Sequence, residues 1–153
     1  MKRVSVLILL FLLLLTASSC AIRTRQDVVL ESIGIYDSKV FYTSGGFQDY
    51  TDFAMYKYPS VSMDNNPYFS RISESAKETL FAFIDNFEGW IDTIERSDST
   101  NEVVVNYRFD RSIVDTEDYL YIYEGNEKNP FWSYDVYFFD VQTNVVYYFH
   151  SNI

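Results

Sequence analysis

One cysteine stands among 153 residues, so the chain has no internal disulfide. Histidine is equally scarce, with His150 alone. Transition-metal sites draw on several His or Cys side chains, and these inventories do not supply them. A Ser–His–Asp or Cys–His mechanism would have to use His150, which reads as an ordinary residue near the end of a strand. Basic residues are few: 12 Lys and Arg stand against 22 Asp and Glu, a net charge of −10. Phosphate backbones repel so acidic a chain, which argues against nucleic-acid binding. The 5 glycines form no phosphate-cradling loop. No catalytic motif emerges, so the expectation is a non-enzymatic protein with no cofactor and no metal.

What the chain does have is apolar and aromatic mass. Apolar residues make up 48% and aromatics 19%, with 14 Tyr, 13 Phe and 2 Trp. That composition folds, and this length makes one domain rather than two.

The N-terminus reads as an address. Lys2 and Arg3 form a basic start, and residues 4–15 are apolar apart from Ser5. A membrane span needs about 20 apolar residues, whereas a secretory signal needs only about 7–15 followed by small residues. Residues 1–19 are therefore expected to be a signal peptide. The sequence Ala17-Ser18-Ser19-Cys20 resembles the lipobox of bacterial lipoproteins, although Ala17 stands where that motif usually has Leu. The resemblance implies cleavage before Cys20, a diacylglyceryl group on its sulfur and acylation of the new amine. It places the protein at the cell membrane or outer envelope, exported from the cytoplasm and lipid-anchored. Residues 20–27 then serve as lipidated Cys and tether, and 28–153 as the domain. Losing Lys2 and Arg3 moves the net charge from −10 to about −12, which repels anionic lipid.

The domain reads as follows. Residues 28–36 (VVLESIGIY) suggest a strand, as do residues 40–42. Residues 47–58 (FQDYTDFAMYKY) lean to a short helix, on the spacing of Phe47, Tyr50, Phe53 and Ala54. Residues 59–70 carry loop chemistry. About 73–95 the apolar positions Leu80, Phe83, Ile84, Phe87, Ile91 and Ile94 recur at three and four, the stripe of an amphipathic helix with Ser73 or Ser75 as its cap. Gly89 inside it suggests a close approach or a kink. Beyond Ser97 the period becomes two, giving strands over 103–109, 119–123, 134–139 and 145–150, the last two joined by a turn at 140–144. The predicted fold is α+β: one main helix packed on a four- or five-stranded antiparallel sheet. The phrases SGGFQDYTDFAMYKY, IDNFEGWI, DYLYIYE and VYFFDVQTNVVYYFHSNI resemble small uncharacterised secreted proteins of Gram-positive anaerobes. That likeness, over most of residues 44–153, supports the fold and implies no activity.

Four tyrosines, Tyr119, Tyr121, Tyr137 and Tyr148, share the sheet with apolar residues on both faces, and one helix covers only one face. They form a candidate binding surface with Trp132 at its rim, unless residues 28–58 fold over them. The acidic flank Glu74, Glu78, Asp85, Glu88, Asp92 and Glu95 falls within about 100° of helix arc and reads as a solvated face. The acidic groups at Asp49/Asp52, Asp64 and Asp115/Glu117/Asp118 read as turn chemistry rather than calcium loops. The function expected is a binding or accessory domain at the bacterial cell envelope with a protein partner. The alternative is a small glycan-binding or glycan-cleaving module using aromatic and carboxylate residues.

Overall fold

In the computed structural model, which describes residues 24–45 and 49–153, a six-stranded antiparallel sheet carries helices on both faces. The elements run α1 (Arg25–Ile33), β1 (Ser38–Gly45), β2 (Tyr50–Lys57), β3 (Ser70–Arg71), α2 (Glu74–Ser97), α3 (Glu102–Asn106), a 3-10 turn (Arg111–Ile113), β4 (Tyr119–Glu124), β5 (Ser133–Asp140) and β6 (Val145–Asn152). The strand order is β1-β2-β6-β5-β4-β3. The α+β architecture with one main helix holds, on six strands rather than four or five. The proposed signal peptide, Cys20 and Phe47 lie outside the described residues.

The helix α2 follows its stripe. Ser73 caps it by accepting the Ala76 N–H at 3.2 Å, and Leu80, Phe83, Ile84, Phe87 and Ile91 are buried. They pack on Phe53, Leu120, Val136, Phe138 and Phe149 from the strands, forming the first core. Gly89 makes no close approach: a Cβ built there meets nothing within 4 Å. Part of the acidic flank is used internally, since Asp85 and Glu88 both pair with Arg111. Glu88 also accepts the Tyr107 hydroxyl at 2.9 Å.

Three local expectations change. Residues 28–36 are not a strand, because Thr24 and Asp27 form a reciprocal capping box that starts a helix. Val29, Leu30 and Ile33 then share one buried face, and Gly34 at φ +138° ends the helix. Residues 50–57 are a strand, not a helix. They lie between β1 and β6, and both of their faces are buried, which removes the alternation that marks a half-buried strand. Residues 102–106 form a short helix because Asn101 caps it by accepting the Val103 N–H at 3.0 Å. Val103 is buried there while Val105 is half exposed.

The second face has its own core. Val29, Leu30 and Ile33 from α1, with Met63 and Phe69 from the 58–69 segment, cover Ala54, Tyr56, Tyr119, Tyr137, Phe139, Val146 and Tyr148. The Tyr58 hydroxyl donates to the Leu30 carbonyl at 3.0 Å, and the Asn66 amide donates to the Ser32 carbonyl at 3.1 Å. Those bonds fix α1 in place. Among the described residues no helix is long and apolar enough to cross a membrane.

Candidate functional site

The tyrosine face is not open. Tyr119, Tyr137 and Tyr148 are buried at 8%, 0% and 4% exposure, and Tyr121 is partly buried beside them. The rings pack on each other, with Tyr121 to Tyr137 at 5.7 Å and Tyr137 to Tyr148 at 4.9 Å between centroids. The physical reason is that residues 25–33 form a helix rather than part of a strand over 28–36, and its Val29, Leu30 and Ile33 lie on the tyrosines. Trp132 is 53% exposed, just before β5, and its carbonyl accepts the Ile153 N–H at 2.9 Å. It borders the end of the sheet and does not join the tyrosines in one surface.

Under α1, that same face carries a row of polar side chains across four strands. The register aligns Thr43 of β1 with Asp52 of β2, Asp52 with His150 of β6, and His150 with Asp135 of β5. Asp135 holds the imidazole Nδ1 at 2.7 Å and also accepts the Tyr148 hydroxyl at 2.7 Å. Tyr50 lies against the other side of the ring, its centroid 4.8 Å away. Among the described residues, Asp52 Oδ1, His150 Nε2 and Tyr137 OH are buried in this layer and have no hydrogen-bond partner. Burial raises the Asp52 pKa above the ordinary carboxylate value; the Thr43 hydrogen bond and His150 pull it back, and Asp135 pushes it up. Burial, with Asp135 nearby, drives the Tyr148 and Tyr137 hydroxyls far above their usual value. Among the described residues, no group of three or more His, Cys, Asp or Glu side chains is arranged to hold a metal ion.

Beside the row, between α1 and β1, lies a groove of about 500 Å³. Its floor is Tyr56 and Leu30, and its walls include Gln26, Ile35, Lys39 and Phe41. The size is that of a ligand or side-chain pocket. Ile35 is 89% exposed and Phe41 41%. Gly34 directs the chain out of α1 so that Ile35 lies at the mouth rather than in the core. Gln26 Nε2 donates to the Tyr56 hydroxyl at 2.9 Å, which fixes the polar end of the floor. The groove borders β1, an edge of the sheet. Near one end of that edge, Glu102 of α3 accepts the Thr43 N–H at 3.0 Å. Nearby, Tyr36 and Tyr56 meet edge to face at 63°, not as parallel plates.

Compared with known proteins, the chain matches no family model, no curated sequence and no solved structure.

Sequence reasoning missed both features. Asp135 and His150 face each other across the β5–β6 hairpin, whereas Asp52 joins them only through the strand order. The helical spacing at 47–58 puts Asp52 away from any strand neighbour. The groove depends on α1, whose capping box Thr24–Asp27 was the available signal.

Proposed function

We propose that the protein is a lipid-anchored binding or accessory domain of the bacterial envelope that engages a protein partner at the α1–β1 groove. The carrying observation is the exposure of Ile35 and Phe41 at the mouth of that groove beside an edge strand. An apolar residue left 89% exposed at the mouth of a groove favours a partner that covers both. The signal-like N-terminus and Cys20 support the anchor. α1 begins at Arg25, so residues 25–27 of the proposed 20–27 tether are helical. Two or more acyl chains on Cys20 are needed for a stable hold.

A glycan module draws less support. Sugar platforms use parallel ring faces, whereas Tyr36 and Tyr56 stand edge to face and the four sheet tyrosines are covered. Trp132 remains the residue through which a glycan reading is examined.

The test is capture from native envelope extract with the full mature chain beside the double variant Ile35→Asp, Phe41→Asp. Both positions are exposed, so the fold is kept. The reading expects one stoichiometric protein bound by the wild type and lost in the double variant. Equal capture by both, or retention on cell-wall polysaccharide alone, contradicts it.

A further inference from the structure

Asp52 Oδ1 and His150 Nε2 are both buried, belong to cross-strand neighbours, and have no partner. With Nδ1–H donating to Asp135, a neutral imidazole presents only a lone pair at Nε2. Ionised Asp52 presents only lone pairs at Oδ1. The two acceptors then occupy paired positions on β2 and β6 with no hydrogen bond between them, in a layer where Asp52 is 8% exposed. A proton on the Asp52 carboxyl removes the buried negative charge and gives that side chain a donor.

We propose that Asp52, at the strand position opposite His150, is a proton-binding site and that uptake of a proton there tightens the end of the sheet formed by β1, β2, β5 and β6. The site is an acidity sensor built into the face beneath α1, and it stands independently of the groove. The proton comes from solvent and returns to it, with no other bond made or broken. The groups around the pair are few. On β2 these are Asp52 itself and Tyr50; on β6, Tyr148; on β5, Asp135 and Tyr137. From β1 comes the uncharged Thr43. On β4 are Tyr121 and Tyr123, and from α1 Arg25 lies 3.0 Å from the Tyr123 ring centroid. Tyr56 of β2 and Asp27 of α1 bear on this layer electrostatically.

The sign follows from Asp52. A carboxyl whose folded pKa lies above its unfolded value gives stability that is full below the unfolded pKa and is lost as pH rises through the folded one. Acidification from neutral pH therefore stabilises the domain through this group. General relief of negative charge acts in the same direction, so the experiment needs a control of equal charge. Melting temperature is followed from pH 8 to pH 4 for wild type, Asp52→Asn and the exposed-site control Asp37→Asn. The proposal expects Asp52→Asn to melt higher than wild type at pH 8, with the gap closing as pH falls. The control keeps the slope of the wild type. Parallel curves for Asp52→Asn and wild type overturn the proposal. A second readout is carboxyl carbon NMR of the unaltered protein. Asp52 is expected to titrate above 3.8 and to move higher still in His150→Gln, which removes the neighbour that lowers it. A midpoint at or below 3.8, or no response to His150→Gln, overturns it as well.

Discussion

Leu30→Ala tests whether α1 closes the second face. Leu30 is 5% exposed and lies in the core that covers the tyrosines. Alanine keeps the helix and keeps the carbonyl that Tyr58 bonds, so the loss is packing alone. Leu to Ala in a core costs about 2–5 kcal/mol, and the wall of an open groove allows some collapse, which places this site near about 2–3 kcal/mol. For roughly 130 folded residues the unfolding entropy is about 0.27 kcal/mol per degree, so the melting point falls by about 7–11 °C. The assay is urea unfolding combined with calorimetry, with Ile35→Ala as the partner variant. Ile35 is 89% exposed, so that change stays within about 0.5 kcal/mol. Equal effects at the two positions, or a loss below about 0.5 kcal/mol for Leu30→Ala, refute the reasoning that residues 25–33 form a lid of core residues.

Two further outcomes are expected. Gly89→Ala stabilises the domain by about 0.5–1 kcal/mol, because the position is mid-helix and the added methyl meets nothing; thermal unfolding reads it, and a loss of stability would place an unseen contact there. Cys20→Ala, with the rest of the chain unchanged, releases the protein from the membrane to the soluble fraction or medium. Continued membrane retention on fractionation contradicts the lipid anchor.

The legible parts of the fold were those with a single buried face. Leu80 to Ile91 show a clean helical stripe because α2 is wet on its outer side. The 140–144 turn was legible from its Asp and Asn. Asp140 accepts the Gln142 N–H at 2.9 Å, and Asn144 adopts φ +53°. The β2 strand was hidden because Phe53 packs on one face and Ala54 and Tyr56 on the other, so apolar residues run without alternation. The α1 helix was hidden by its β-branched Val28, Val29 and Ile33, which favour strands until the Thr24–Asp27 box fixes the first turn. Of the candidate site, Cys20 and Trp132 are readable locally. The four tyrosines lie on one face, and what covers that face depends on α1. In the Asp52–His150–Asp135 row, the His150–Asp135 pair follows from the 140–144 hairpin, but Asp52 joins it only through the β2–β6 pairing, which no local pattern encodes.

The central claim is that a partner meets the α1–β1 groove and not the tyrosine face or its rim. Its most direct test is a photoreactive residue placed in the full chain at position 35, and separately at position 132, followed by irradiation of intact cells. The account predicts one discrete protein adduct from position 35 and none from position 132. An adduct from position 132 alone contradicts it and returns the search to Trp132.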